Sequence, residues 1–265
     1  MLLIANFFEI MGLNAQVNNM NNSLSMLDKD RCPLLRNNFI ICRQNLSENI
    51  SYPFAARVWH SEKAYNENLY FHTDLQVPSW LHEATLKRKS RYLAGRYLAR
   101  LGLKTLDATA FDVRTGSNGE PIWPNGFVGS ISHSGNSTVC AIVDDPSYLV
   151  GIDIEEIVSQ EMYHKIIHQI TNREERALLS RWTDKATMLN AIFSGKESLF
   201  KALFEPAQRI FGFRAVQLIN WDANILCFEL KQDLAPGFER GRRLHCGFAL
   251  YERLVLTWFN EPYTT

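Results

Sequence analysis

No charge of either sign dominates this sequence. Its 28 Lys and Arg stand against 28 Asp and Glu in 265 residues, so the overall balance points to no polyanion and no charged membrane surface as partner. Any such preference has to be local. The five cysteines, Cys32, Cys42, Cys140, Cys227 and Cys246, are odd in number and scattered. Without a C-x-x-C pair the spacing of a disulfide scaffold or structural zinc site is missing, and a reducing, cytoplasmic setting is expected. A long apolar run is missing as well. The segment MLLIANFFEIMGL is short, starts without a basic residue and contains Glu9, so neither a signal peptide nor an integral membrane segment is expected. What is present is a hydrophobic content of 46%, enough for the core of one large domain or two modest ones.

Between Asn14 and about Asn49 the composition turns to Asn, Ser and Gln, which repays ordering poorly and predicts a loose N-terminal extension over residues 1–49. Beyond Pro78 a helix is expected, with Leu86, Leu93, Tyr97 and Leu101 as its apolar stripe. RTGSNGEPIWPNG reads as a loop. FVGSISHSGNSTVCAIVDD and YLVGIDIEEI are β-rich and read as an antiparallel pair around a turn at Asp144 to Ser147. Helix returns from Met162 to Leu203. There Met188, Leu189, Ile192, Phe193, Leu199, Phe200 and Leu203 form an apolar face, and Gly195 costs about 1 kcal/mol relative to Ala. Strands follow, broken at Pro236-Gly237 and Gly241. The result is an α+β chain whose element order occurs roughly twice, with residues 50–150 and 151–265 as its halves and no residue-level repeat.

Four features carry possible chemistry. In VGIDIEEI, Asp153 and Glu155 fall on one face of a strand. Two like charges so placed need compensation: a hard cation such as Mg²⁺ supplies it, and so does a solvated sheet edge. In FSGKESLFKAL, Glu197 and Lys201 lie one helical turn apart with Lys196 beside them, either a reactive pair or an ordinary surface ion pair. In SISHSG, Ser132 and His133 offer a hydroxyl and an imidazole to a phosphate, or find partners within their own turn. Along LKRKSRYLAGRYLARLG, Arg88, Tyr92, Arg96 and Arg100 run at i+4 steps with Lys87, Lys89 and Arg91 nearby. That face suits phosphates, RNA or water alone. His164 and His168, one turn apart, lack a third ligand at a fixed offset and read as surface residues.

Taken in order, GEP at Gly119 to Pro121, SISHS, GIDIE and FSGKESLFKAL, with AGR at Ala94 to Arg96, resemble the 4'-phosphopantetheinyl transferases, most of all their siderophore (enterobactin-type) branch. The resemblance covers about Lys87 to Leu203 well, the C-terminal strands loosely and the first fifty residues not at all. It implies a pseudo-dimeric α+β fold, two similar halves with the active site in the cleft between them. It implies Asp153, Glu155 and Glu197 as ligands of Mg²⁺, for which Mn²⁺ substitutes, and Glu197 and Lys201 as the catalytic pair. Ser132 and His133 would meet the phosphates of coenzyme A, Arg91 and Arg96 its 3'-phosphate end, and Gly119, Glu120 and Pro121 would line the nucleotide pocket. Gly195 departs from the Ala usual in that branch, a matter of helix stability more than of chemistry.

The implied reaction moves 4'-phosphopantetheine from coenzyme A to a serine of an apo carrier protein or of a nonribosomal peptide synthetase carrier domain, releasing 3',5'-ADP. The implied enzyme is a cytoplasmic monomer. Two other classes stay open: a non-catalytic protein binding coenzyme A or carrier, and a nucleic-acid module built on the helix from Arg88 to Arg100. The latter lacks both an RNP-like aromatic pattern and helix-turn-helix spacing, so no nucleic acid is expected as partner.

Overall fold

Leu34, Phe39 and Ile40 are fully buried or nearly so, and around them the chain is already part of a folded unit. The computed structural model describes residues 33–263 except 74 and 252. The first 32 residues of the expected loose extension, with the apolar MLLIANFFEIMGL segment and Cys32, lie outside the described residues. From Pro33 on, that stretch forms Pro33–Arg36 (α1), Ile40–Asn45 (β1) and Ser47–Ile50 (α2). β1 pairs with Phe54–His60 (β2), from Asn45↔Ala56 to Ile40↔His60. Its polar residues are those of an edge strand, which composition alone does not tell from a loop.

Leu86–Thr105 (α3) starts at Thr85, whose hydroxyl accepts from the Arg88 amide, an N-cap. Leu93, Ala94, Leu98, Ala99 and Leu103 form its buried face, whereas Leu86 is 46% exposed. The expected stripe is therefore rotated. Small residues let the helix lie close to the sheet, and bulkier Tyr97 and Leu101 flank the contact. A short hairpin follows, Arg114–Thr115 (β3) with Pro121–Ile122 (β4).

Val128–Ser134 (β5) and Ser137–Val143 (β6) then fold back on each other around Gly135 and Asn136. Gly135 takes φ 52 there, the left-handed geometry that two-residue hairpin loops require. This corrects the expected pairing of FVGSISHSGNSTVCAIVDD with YLVGIDIEEI, because the first run supplies both strands of its own hairpin. The N-terminal unit is an antiparallel sheet in the order β1-β2-β6-β5 with α3 against it.

The division falls at Pro146/Ser147 rather than after residue 150, since Tyr148–Glu156 (β7) belongs wholly to the second sheet. The C-terminal unit continues with Gln160–Ile170 (α4), Arg173–Leu179 (α5) and Lys185–Ala207 (α6). Val216–Asp222 (β8), Ile225–Leu230 (β9), Arg243–Tyr251 (β10) and Leu254–Pro262 (β11) complete it. The sheet order is β7-β11-β10-β9-β8, all antiparallel. α6 packs on β7 and β11. A side chain at Gly151 of β7 would meet the Ser198 carbonyl at 1.9 Å, so a bare backbone is what lets helix and strand approach. Each unit is thus α+β, an antiparallel sheet carrying one long helix. Among the described residues no helix is long and apolar enough to cross a membrane, and Cys42, Cys140, Cys227 and Cys246 are free thiols.

Candidate active site

One face of α6 is written in polar residues about one turn apart, and each of them engages β7 or its neighbour. Asn190 donates to the Glu156 carbonyl (2.8 Å) and accepts from the Val158 amide (3.0 Å). Ser194 donates to Asp153 Oδ2 at 2.8 Å. Ser198 donates to the Thr257 carbonyl at 3.2 Å, and Lys201 Nζ donates to Asp153 Oδ1 at 2.6 Å and to the Ile152 carbonyl at 3.1 Å. The helix is laid along the strand by these bonds, and the apolar face behind them drives the burial.

Asp153 is 2% exposed. A carboxylate so deep needs partners to replace its lost hydration, and both oxygens have them. Glu197 is half-buried and has its pKa raised, chiefly by burial; Lys201 pulls it back and the Asp153 charge raises it further. Asp153, Glu197 and Lys201 therefore form one electrostatic group. Glu197 faces a hollow of about 220 Å³ lined also by Lys196, Phe200, Ile210, Phe211 and Phe213. Glu155 lines another, of about 80 Å³, with Asn190 and Phe193. Phe193 meets Phe213 of the larger hollow edge to face, with ring centroids 5.4 Å apart.

The donor chemistry suits a hard cation: two mutually coupled carboxylates, all oxygen. Mg²⁺ commonly takes one or two protein carboxylates beside water and phosphate oxygens, and Asp153 with Glu197 meets that need. No group of three His, Cys, Asp or Glu is gathered closely enough to hold a metal among the described residues.

Lys196 does not share the exposed face with Glu197 and Lys201. It is 2% exposed and donates to Glu175 (3.0 Å), the Ile170 carbonyl (2.9 Å) and the Phe213 carbonyl (3.2 Å). Glu175, 1% exposed, also accepts from the Leu218 and Asn172 amides. Glu175 went unnoticed in the sequence, yet Asn172 followed three residues later by Glu175 spells a capping box. Its neighbour Glu174 and both His164 and His168 are exposed.

In the N-terminal unit, Arg91 donates through Nε (3.3 Å) and a terminal nitrogen (3.2 Å) to the Gly135 carbonyl at the hairpin tip. His133 is exposed and Ser132 buried on that hairpin. His60, 1% exposed, is held down to a pKa of about 4 by burial and by the nearby Arg91 and His133. Arg91 thus brings a guanidinium to the tip, a setting that favours an anion. Arg96 turns inward, donating to the Arg114 carbonyl (3.3 Å) and the Thr115 hydroxyl (3.0 Å) and lying over Tyr92. It braces the hairpin whose loop holds Gly119, at φ 88, and Glu120, whose carboxylate accepts from the Asn118 amide. Pro121 pairs with Thr115 beside them. Arg88 lies over Trp80 and Arg100 over Phe111, so much of the basic row is engaged by its own unit.

Comparison with known proteins agrees with this division. Residues 77–143 match the 4'-phosphopantetheinyl transferase N-terminal domain, and residues 149–255 match the 4'-phosphopantetheinyl transferase superfamily. The chain is 31% identical over 188 residues to enterobactin synthase component D of Salmonella typhi, spanning 70% of this chain and 78% of that one. With enterobactin synthase component D of Salmonella typhimurium it shares 30% over 224 residues, 82% and 87% of the two chains. It shares 32% over 129 residues with 4'-phosphopantetheinyl transferase PptT of Mycobacterium tuberculosis, 48% and 56% of the two. On these matches the protein is an enzyme of the 4'-phosphopantetheinyl transferase superfamily, in the branch of the enterobactin synthase component D proteins.

Proposed function

We propose that the enzyme takes 4'-phosphopantetheine from coenzyme A and attaches it to a serine of an apo carrier protein, in the cytoplasm and in the service of siderophore-type nonribosomal peptide synthesis. The observation that carries this reading is the coupling of the half-buried Glu197 to Asp153 and Lys201. A carboxylate whose pKa is lifted by burial is a better proton acceptor than a solvated one. Glu197 takes the proton of the carrier serine as its oxygen bonds to the β-phosphorus of coenzyme A. The bond from that phosphorus to the departing 3',5'-ADP oxygen breaks, and the ammonium of Lys201 offsets the negative charge that accumulates.

Asp153 and Glu197 would hold Mg²⁺ or Mn²⁺, with Glu155 two residues after Asp153 on β7, and the ion when bound would supply neutralisation of the pyrophosphate charge. Arg91, Ser132 and His133 take phosphate oxygens of coenzyme A. Arg96 acts with Gly119, Glu120 and Pro121 by shaping the loop that receives the nucleotide.

Mass spectrometry of apo carriers from peptide, aryl and fatty-acid synthesis, each incubated with enzyme, coenzyme A and Mg²⁺, tests this. Addition of the phosphopantetheine mass is expected with the wild type and not with folded Asp153→Ala or Glu197→Ala. Full transfer by either variant, or by EDTA-stripped enzyme without added metal, would overturn the assignment. Preference among the carriers reads out the siderophore link.

A further inference from the structure

Asp153 does not sit alone at the end of its hydrogen bond from Ser194. Ser194 Oγ lies 2.8 Å from Thr257 Oγ1, and Thr257 Oγ1 lies 2.8 Å from Ser198 Oγ. Ser194, Ser198 and Thr257 are all 0% exposed, so no water competes for these hydroxyls. Proton counting then gives the row a direction. A carboxylate only accepts, and each hydroxyl has one proton to give. Ser194 spends its proton on Asp153 Oδ2, so in the Ser194–Thr257 contact Thr257 is the donor. The one proton of Ser198 lies between the Thr257 hydroxyl oxygen at 2.8 Å and the Thr257 carbonyl at 3.2 Å. The Thr257 and Ser194 dipoles both point at Asp153, an alignment in which each bond strengthens the next. Thr257 is also the residue directly across the ladder from Asp153, so the row ties the strand carboxylate to both β11 and α6.

We infer that Ser194 is a positioning residue for Asp153, and that Thr257 and Ser194 hold Oδ2 and so fix the direction in which Oδ1 meets a cation. Lys201 takes Oδ1 at 2.6 Å in this structure, so a cationic group already meets that oxygen. The inference rests on the proposed reading of Asp153 as a metal ligand. Partners one bond behind a ligand are known to govern metal affinity strongly.

The test is binding of Mn²⁺ alone, followed by electron paramagnetic resonance on the full chain, with unfolding curves run in parallel. Ser194→Ala is expected to weaken Mn²⁺ binding by about 10- to 100-fold. Thr257→Val, which keeps the shape and removes the hydroxyl, is expected to weaken it less, and Thr257→Ser to bind as the wild type does. If Ser194→Ala does not fold, the Thr257→Val and Thr257→Ser pair decides. Wild-type binding by Ser194→Ala and Thr257→Val, with binding lost in Asp153→Asn, overturns the positioning role and leaves Asp153 a ligand. Wild-type binding by Asp153→Asn removes the metal reading and this inference with it.

Discussion

Lys201 and Asp153 meet at 2.6 Å, the lysine side chain 25% exposed and the aspartate 3%. The same ammonium bonds the carbonyl of Ile152, so it reads the strand backbone and the carboxylate together. Lys201 is thus the counter-charge that the buried Asp153 carboxylate meets. Replacing it by Met strands the carboxylate and is expected to cost about 3 kcal/mol in metal-free urea unfolding. Lys201→Arg, which keeps the charge, is expected to recover part of that loss. A Lys201→Met midpoint equal to the wild type contradicts the argument.

Glu175 and Lys196 form the more deeply buried pair and join α5, α6 and the start of β8 through the Leu218 amide. Glu175→Gln is expected to destabilise by about 3–5 kcal/mol, because a buried ammonium loses its counter-charge. Adding Lys196→Met to that variant is expected to cost far less than the two single changes combined, since the second removes the stranded charge. Denaturant titration of the four proteins measures the coupling, and simple additivity refutes it.

Two groups drive stability in opposite directions with pH. The unfolded chain protonates His60 near the ordinary 6.5, the folded chain only near 4, so unfolding takes up a proton in that window and stability falls as pH drops through it. His60→Gln is expected to flatten this limb. Glu197 binds its proton at higher pH folded than unfolded, where the ordinary value is 4.5. Its contribution is therefore full at low pH and is lost as pH rises through the raised value. Metal-free Glu197→Gln is expected to be more stable than the wild type at pH 7, the difference closing towards pH 4. Thermal melts across pH 4 to 8 check both signs, and a gap that widens towards acid rules out the second.

Gly195 is not merely a weak spot in its helix. A Cβ there would lie 2.8 Å from the Phe228 ring and 3.2 Å from Leu226. The gain of about 1 kcal/mol in helix propensity from Ala is thus opposed by overpacking of about 1–3 kcal/mol. Gly195→Ala is expected to be neutral or destabilising in urea, and Gly151→Ala, which meets backbone, far worse. A clear stabilisation by Gly195→Ala counts against the packing argument.

Short-range order was open to reading in the residues themselves. Alternation along VGIDIEEI places Asp153 and Glu155 on a strand, helical spacing puts Glu197 one turn from Lys201, and both positions follow from local backbone geometry. Breaks at Gly and Pro likewise separate the C-terminal strands, and the α+β class follows from the order of elements. Partner choice was decided only in the tertiary structure. β7 pairs with β11, far away in the chain, instead of with the β-run just before it, and Lys196 faces Glu175 rather than its helical neighbours. The buried stripe of α3 lies where small residues fit the sheet, not where the largest apolar side chains recur. Ser194 and Thr257 become partners of Asp153 only once α6 is laid on the sheet. Periodicity reports which way a side chain points from its own backbone; which group it meets depends on contacts between distant segments, whose energies no local window contains.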